Sequence, residues 1–126
     1  MKKIISTENA PKALGPYSQG VEANGMLFIS GQVPVNPLTG QVVEGGIQEQ
    51  TEQVMKNIGA ILKAAGYDYT DVVKSTCLLS DMSDFQEMNV VYSKYYPKNP
   101  PARAAFAVKT LPLHVMIEIE TIAIKK

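Results

Sequence analysis

Residues 115–124 read VMIEIETIAI, and this stretch decides the fold that the sequence predicts. Side chains alternate between the two faces of an extended strand, so Val115, Ile117 and Ile119 share one face. The opposite face carries two glutamates but also Met116 and Ile122. An alternating pattern with apolar residues on both faces predicts a strand in a sheet that is covered on both sides.

Five further segments have the composition of strands, and two show helical periodicity. The six predicted strands are Lys3–Ser6, Ser18–Ala23, Met26–Val33, Val72–Leu79, Ala102–Val108 and Val115–Ile124. The pair Asn24-Gly25 between the second and third strands predicts a tight hairpin. The order β-β-β-α-β-α-β-β is typical of an α+β fold, with a mixed six-stranded sheet and two helices packed on one face.

The first helix is predicted from about Gly46 to Ala65, because apolar side chains recur there every three or four residues. Gly66 supplies a left-handed residue that ends this helix. Gly59 is unfavourable in the middle of this helix relative to alanine. A glycine kept at that cost predicts a close approach of the helix to the sheet.

The second helix is predicted from Ser83, where the segment Ser83–Gln86 fits a capping box, to about Tyr95 or Tyr96. The polar Asn89 lies on its apolar stripe, between Phe85 and Tyr92. An amide in that position needs hydrogen-bond partners.

The second face of the sheet predicts an oligomer. Two helices cover only one face, yet Met26, Phe28 and Ile124 lie on the other. Apolar side chains on an exposed sheet face are typical of an interface between copies, so we expect a homo-oligomer.

Composition excludes several classes of function. The 126 residues suit one domain spanning residues 1–126, and the formal net charge of +0 provides no general attraction for nucleic acid or an anionic membrane. One cysteine and one histidine cannot form an internal disulfide or a Cys/His zinc site, so a metal would have to be held mostly by carboxylates, and we expect none. The apolar run Ile4-Ile5 is too short for a signal peptide or a membrane span, so we expect neither, and a free thiol suits the cytoplasm.

The common catalytic templates are absent. The chain has no phosphate-binding glycine loop and no GxSxG elbow. His114 follows the turn Leu111-Pro112-Leu113, and we interpret it as a surface residue rather than a catalytic base. Cys77 lies within an apolar strand, and we interpret it as a core residue rather than a reactive thiol.

Arg103 is the candidate for binding chemistry. It shares a strand face with Ala105 and Ala107, so small neighbours leave room around its guanidinium. A guanidinium in a small recess suits a carboxylate ligand. If the last two strands pair as a hairpin, Glu118 or Glu120 shares this face. The alternative from the pattern alone is a structural Arg–Glu pair at a subunit interface.

The sequence resembles the reactive intermediate deaminase family (RidA, also called YjgF) over nearly its whole length. The resemblance is strongest in Pro101–Leu111 followed by Ile117-Glu118-Ile119. The other matching blocks are Asn9-Ala10-Pro11, Gly15–Gly20, Ser30-Gly31-Gln32, Gln50-Thr51, Ala65-Gly66, Asp71–Lys74 and the spacing of Phe85, Asn89 and Tyr92. Several blocks in the same order are far more specific than any single motif.

This resemblance implies a chorismate-mutase-like fold and a homotrimer with three clefts between subunits. It also implies hydrolysis of 2-aminoacrylate and 2-iminobutanoate-type acids to 2-oxo acids and ammonia, without a cofactor. By position, Arg103 would hold the substrate carboxylate together with the backbone N–H of Ala105, and Glu118 would handle the water. The remaining residues expected in the cleft are Tyr17, Ser30, Gly31, Phe85 and Asn89.

One position departs from the family pattern, because many members have cysteine where this chain has Ala105. The implied contact uses the backbone, so we expect binding to survive this difference. A carboxylate beside Arg103 would stay ionised near neutral pH, which would allow Glu118 to accept a proton.

Two other classes of function are compatible with the resemblance. Some relatives are described as ribonucleases or translation inhibitors, although this chain has no basic track and no pair of acid and base for RNA cleavage. A small-acid sensor or holdase without catalytic activity would also use Arg103. Turnover of freshly generated 2-aminoacrylate separates the deaminase from both.

Overall fold

A computed structural model describes all residues from Met1 to Lys126. The helices are α1 (Ile47–Ala65) and α2 (Phe85–Tyr95). The strands are β1 (Lys3–Ile5), β2 (Gly20–Ala23), β3 (Met26–Gln32), β4 (Val35–Asn36), β5 (Gln41–Val42), β6 (Val72–Leu79), β7 (Ala102–Ala107) and β8 (Ile117–Ile124). Neither helix is both long and apolar enough to cross a membrane.

Six strands form one mixed sheet in the order β1-β2-β3-β8-β6-β7. All neighbouring pairs are antiparallel except β6 and β7, which run parallel because α2 connects them. The predicted α+β sheet is therefore confirmed. The last two strands do not pair as a hairpin, which was the condition for Glu118 or Glu120 to share a face with Arg103, because β6 lies between β7 and β8 and pairs with both.

Both helices cover the same face of the sheet. Side chains from α1, such as Ile58, and from α2, such as Met88, pack in one core with Leu27, Cys77 and Ile119 from the strands. All five of these side chains are buried. Burial of this apolar surface holds the helices on the sheet and fixes which face of each strand points inward.

The opposite face of the sheet carries exposed apolar side chains. Phe28 is 41% exposed, Phe106 48% and Ile124 43%. The register places Phe28 beside Ile122 on the neighbouring strand, so these side chains form a continuous surface. This face has the apolar character that the alternation in the sequence predicts.

Helix α1 begins and ends close to the predicted residues. Its N-cap is Gly46, whose N–H donates to the Glu49 carboxylate at 2.8 Å, and Gly66 caps the other end with a φ of 82°. The prediction that Gly59 marks a close approach of α1 to the sheet is wrong. The ring of Tyr69, not the sheet, occupies the space beside Gly59, and the Tyr69 hydroxyl donates to the Met55 carbonyl at 2.6 Å.

Helix α2 begins later than predicted, and the capping box at Ser83 is wrong. A short 3-10 turn over Met82–Asp84 precedes the helix. The Asp81 carboxylate caps this turn by accepting from the Ser83 N–H at 2.8 Å. Because an aspartate upstream of Ser83 already accepts this N–H, the first turn tightens and the α-helix starts at Phe85.

Two local features of the β3 region matter for the site. The Asn24-Gly25 hairpin is confirmed, with φ values of 53° and 73°. In β3, Ile29 pairs with Thr121 and Gln32 with Ile119, so β3 contains one more residue than β8 between these pairs. This bulge lies at Ser30-Gly31 and brings Gly31 next to Glu118.

Candidate functional site

Arg103 lies on the outermost strand β7, on the face covered by the helices. One guanidinium N–H donates to the Asn89 side-chain oxygen at 2.7 Å. The guanidinium carbon lies 5.3 Å from the centre of the Phe85 ring and 5.0 Å from that of the Tyr92 ring. Three residues of α2 therefore fix the position of the guanidinium by one hydrogen bond and two cation–π contacts.

The charge of Arg103 is not neutralised within the chain. The one ion pair within the chain joins Lys125 to Glu22 at 3.9 Å and does not involve Arg103. Arg103 is exposed, and a guanidinium has five N–H donors, of which the bond to Asn89 uses one. The geometry therefore leaves donors free for an anionic ligand with two oxygens, such as a carboxylate.

The backbone beside Arg103 adds a further donor. The Val108 N–H donates to the Leu79 carbonyl at 2.9 Å, which shows that this N–H points inward to β6. Backbone N–H groups alternate in direction along a strand, so the N–H of Ala105 points outward, away from the sheet. The Ala105 N–H is therefore free at the open edge of the strand that carries Arg103.

Glu118 lies on β8, on the apolar face that no helix covers. It faces the bulge in β3, where a side chain at position 31 would overlap its carboxylate, so Gly31 leaves the room in which Glu118 takes this position. Glu118 is half-buried, and this burial, together with the nearby charge of Glu120, raises the pKa of its carboxyl group. A carboxylate with a raised pKa is a better proton acceptor than an exposed glutamate.

Ser30 lies in the bulge that Glu118 faces, and it bonds to the segment that carries Tyr17. The Ser30 hydroxyl donates to the Ser18 carbonyl at 2.6 Å, and the Ser30 N–H donates to the Gln19 carbonyl at 3.0 Å. These bonds join the bulge to the segment that carries Tyr17, whose side chain is 53% exposed. The Gln19 side chain holds this segment in turn, through bonds to the backbone of Thr7 and Pro11.

The predicted residues therefore form two groups within one chain. Phe85, Asn89, Arg103 and the Ala105 N–H form the first, and Tyr17, Ser30, Gly31 and Glu118 form the second. Ala105 pairs with Cys77, which in turn pairs with Ile119, so Arg103 and Ala105 share the helix-covered face. Glu118 has the opposite orientation, and the expectation that it shares a face with Arg103 is wrong.

This arrangement also changes the electrostatic argument for Glu118. The sequence predicted a carboxylate kept ionised by Arg103, but no arginine approaches Glu118 within the chain. An adjacent arginine would lower the pKa of Glu118, whereas burial and the charge of Glu120 raise it. Any influence of Arg103 on Glu118 would have to come from another copy.

Tyr92 belongs to the Arg103 group, although sequence reasoning assigned it only to the apolar stripe of α2. Its ring contacts the guanidinium as closely as that of Phe85 does. Burial raises the pKa of its hydroxyl. The spacing of Phe85, Asn89 and Tyr92, one helical turn apart each, was the signal that could have revealed this role.

Cys77 and His114 occupy the places that the sequence predicted. Cys77 is fully buried, and this burial raises the pKa of its thiol to about 11, so the thiol is protonated at neutral pH. His114 is exposed in a short turn over Pro112–His114. No three His, Cys, Asp or Glu side chains are grouped closely enough to hold a metal ion.

Comparison with known proteins identifies the family. The profile of the family described as Endoribonuclease L-PSP matches residues 7–125. The chain belongs to this family, which includes proteins named reactive intermediate deaminase. Its sequence is 50% identical over 125 residues to the human 2-iminobutanoate/2-iminopropanoate deaminase, covering 99% of this chain and 91% of the human protein.

Solved structures agree with this assignment. A Thermotoga maritima protein, described as a candidate endoribonuclease, is 50% identical and superposes with a TM-score of 0.98, covering 100% of this chain and 99% of that chain. Escherichia coli TdcF, crystallised with bound serine, is 40% identical with a TM-score of 0.94, covering 98% of this chain and 99% of that chain.

Proposed function

We propose that this protein is a deaminase that hydrolyses 2-imino acids to 2-oxo acids and ammonia. The substrates would be 2-iminobutanoate, 2-iminopropanoate and, through tautomerisation, 2-aminoacrylate. The human relative is named for this activity. We further propose that residues 1–126 act as one domain of the RidA type.

The observation that carries this proposal is the unpaired guanidinium of Arg103. Its position is fixed by Asn89, Phe85 and Tyr92, yet no carboxylate of the chain binds it. A guanidinium that is held in place and keeps free donors suits a ligand that supplies the anion. Every 2-imino acid carries a carboxylate, and serine, the ligand in the TdcF crystal, also carries one.

The Ala105 N–H supports the same assignment. It lies two residues beyond Arg103 along β7 and points to the open edge of the sheet. One carboxylate oxygen would accept from this N–H while the other accepts from the guanidinium. This arrangement orients the imine carbon relative to the protein, which accounts for much of the rate gain in reactions of this type.

The chemistry requires only water and a group that moves protons. An imine next to a carboxylate is electrophilic, so water adds to C2 and the C=N bond becomes a C–N single bond. Glu118 would accept the proton that this water loses and return it to the nitrogen. A second proton, from the new hydroxyl on C2, is then transferred to the nitrogen through Glu118, so that the C–N bond breaks, ammonia leaves, and the oxygen from water becomes the carbonyl of the 2-oxo acid.

This mechanism requires a second copy of the chain, because Arg103 and Glu118 lie on opposite faces of the sheet. We propose that the exposed apolar face packs against other copies in a homotrimer. Each site would then combine Arg103 and Ala105 of one subunit with Glu118, Tyr17 and Ser30 of another. The exposed Phe28, Phe106 and Ile124 support this packing.

Turnover of freshly generated 2-aminoacrylate tests the activity directly. A serine or threonine dehydratase produces the substrate in the cuvette, and the release of pyruvate or ammonia is recorded with and without this protein. We expect faster release with the protein present. An unchanged rate would contradict the deaminase and would favour a small-acid binding protein that lacks catalytic activity.

Ribonuclease activity is the second candidate, because the family description and the Thermotoga relative both carry that name. The net charge of +0 and the single histidine argue against it. Incubation with labelled RNA, using the parent and Arg103→Ala, decides between the two. RNA cleavage that persists in Arg103→Ala would establish an RNA site separate from the carboxylate site.

A further inference from the structure

Three glutamines of the chain are buried, and none of them has a part in the chemistry proposed above. They are Gln19, Gln32 and Gln50, each no more than 7% exposed. Burying an amide costs free energy unless it is hydrogen-bonded, so the partners of each side chain show what keeps it inside. All three bond to backbone, and in each case this backbone lies close in sequence to Glu118 or to the residues grouped with it.

Gln32 and Gln50 bond to the bulge of β3 and to the start of β8. The Gln32 side-chain nitrogen donates to the Ser30 carbonyl at 3.1 Å, within the bulge. The Gln50 side-chain oxygen accepts the Met116 N–H at 2.8 Å, directly before β8 begins. These two bonds hold the backbone of the two strands whose neighbouring positions carry Gly31 and Glu118.

Gln19 makes more hydrogen bonds than either of the other two. Its side-chain oxygen accepts the Thr7 N–H at 2.7 Å. Its side-chain nitrogen donates to the carbonyls of Thr7, Ala10 and Pro11, at 3.0, 3.3 and 2.8 Å. An amide has only two N–H donors, so two of these carbonyls share one donor. The connection Ser6–Gln19 contains no helix or strand, and this one side chain supplies hydrogen bonds that a regular element would supply through its backbone.

The backbone of the same segment joins it to the bulge. The Gln19 carbonyl accepts the Ser30 N–H at 3.0 Å, and the Ser18 carbonyl accepts the Ser30 hydroxyl at 2.6 Å. Tyr17 directly precedes these two residues. The segment that the Gln19 amide holds therefore carries Tyr17 and also fixes Ser30, so a shift of this segment moves both.

We propose that Gln19 is a positioning residue for imine hydrolysis. It is 4% exposed, so it acts on the reaction by fixing Tyr17 and Ser30 relative to Glu118 rather than by touching the substrate. The inference rests on the proposed deaminase function and adds a residue to its machinery. Arg103 is held by α2 and takes part in none of these bonds, so carboxylate binding does not depend on Gln19.

The test compares turnover with binding in Gln19→Met. Methionine has a similar length and adapts its shape, so the variant loses every bond of the amide without gaining a buried charge. We expect kcat for 2-iminobutanoate, generated in place by a threonine dehydratase, to fall about tenfold or more, because a misplacement of about 1 Å can cost about 100-fold. Calorimetry should show that 2-oxobutanoate binds with the Kd and stoichiometry of the parent. A merely structural role would lower the stoichiometry and the turnover by the same factor.

Asn57→Leu is the matched control. Asn57 is 1% exposed and donates to the carbonyls of Val33 and Val35 at 3.1 and 3.0 Å, so it too is a buried amide that bonds to backbone. Its side chain bonds neither to the segment that carries Tyr17 nor to the bulge. We expect Asn57→Leu to keep kcat within a few-fold of the parent, including when urea unfolding shows the same loss of stability in both variants.

The outcomes separate this inference from the deaminase itself. If Gln19→Met keeps the parent kcat, or loses kcat and stoichiometry in proportion, the positioning role is wrong while the deaminase stands. An equal loss of kcat in Asn57→Leu overturns it as well. If the parent hydrolyses no imine, the deaminase is wrong and the positioning role with it. If Gln19→Met does not fold, Gln19→Asn withdraws the amide by one methylene, and the same comparison of kcat with stoichiometry decides.

Discussion

Arg103 and Glu118 lie on opposite faces of the same sheet, with strand β6 between the strands that carry them. Each is the chemical centre of one group of predicted site residues. Because the sheet separates them, a single chain can bind a carboxylate at Arg103 or hold a water at Glu118, but cannot bring the two together.

Removing the guanidinium should abolish ligand binding. Truncation of one partner of a hydrogen-bonded charge pair costs about 2–5 kcal/mol. We expect Arg103→Ala to lose binding of 2-oxobutanoate by calorimetry, together with imine turnover. Arg103→Lys should retain part of both, since an ammonium cannot make a two-pronged contact. Lys98→Ala, which removes an exposed cation nearby, is the control, and parent-like binding by Arg103→Ala would contradict the carboxylate site.

Removing the proton acceptor should separate binding from chemistry. Glu118→Gln keeps the shape of the side chain but cannot take a proton from water. General base catalysis contributes about 10²–10⁴-fold. We therefore expect Glu118→Gln to bind 2-oxobutanoate as the parent does, while kcat for imine hydrolysis falls by about 100-fold or more. Normal turnover would exclude Glu118 as the base.

The pH dependence of turnover should reveal the influence of Glu120. Glu118 acts as a base only when ionised, so activity falls as the pH drops through its raised pKa. Glu120→Gln removes the neighbouring negative charge and thereby lowers the pKa of Glu118. We expect the acid limb of the kcat profile to move to lower pH in Glu120→Gln. A limb that stays in place would show that another group titrates.

The backbone role of Ala105 can be isolated with proline. The N–H of Ala105 points outward at the edge of the sheet, so Ala105→Pro removes this donor without breaking a bond to β6. We expect Ala105→Pro to fold but to bind 2-oxobutanoate at least tenfold more weakly. Ala107→Pro removes the next outward N–H and should bind as the parent does. Equal binding by both variants would contradict the contact.

Side-chain changes at the same position should depend on size alone. Ala105 packs against the buried core, where a hydroxyl or thiol still fits. We therefore expect Ala105→Ser and Ala105→Cys to stay within a few-fold of parent activity, and Ala105→Phe to lose it. An increase of several orders of magnitude in Ala105→Cys would show that a thiol takes part in the chemistry.

Two adjacent tyrosines should respond in opposite ways to loss of their hydroxyls. The Tyr96 hydroxyl is buried near that of Ser75 without a well-formed hydrogen bond, whereas the Tyr95 hydroxyl donates to the Glu52 carboxylate at 2.6 Å. An unpaired buried hydroxyl carries a desolvation cost, and a bonded one contributes about 1 kcal/mol. Urea unfolding should show Tyr96→Phe as stable as the parent or more so, and Tyr95→Phe less stable by about 1 kcal/mol. A clear loss of stability in Tyr96→Phe would reveal a partner for that hydroxyl.

Local patterns predicted the elements well because their signals lie within each element. The bounds of β6 agree with the prediction to the residue, and α1 differs by one residue at its start. Arg103 could be selected because its small neighbours on the strand are visible in the sequence. The need of Asn89 for a polar partner was also visible, and the partner is Arg103.

What the sequence could not show depends on which strands become neighbours. Alternation assigns each residue to a face but does not identify the strand beside it, so the parallel pairing of β7 with β6 was missed. The face shared by Arg103 and Glu118 was predicted wrongly for the same reason. The capping box at Ser83 was predicted wrongly because both Asp81 and Ser83 are residues that favour an N-cap. The sequence alone does not show which of the two caps the turn, and in the structure it is Asp81.

The separation of the two groups has a genetic consequence if copies share the site as proposed. A chain with Arg103→Ala still offers an intact Glu118, and a chain with Glu118→Gln still offers an intact Arg103. When the two inactive chains assemble together, some interfaces combine the intact halves and regain activity. Two defective alleles in one cell would then complement each other, although neither supports the reaction alone.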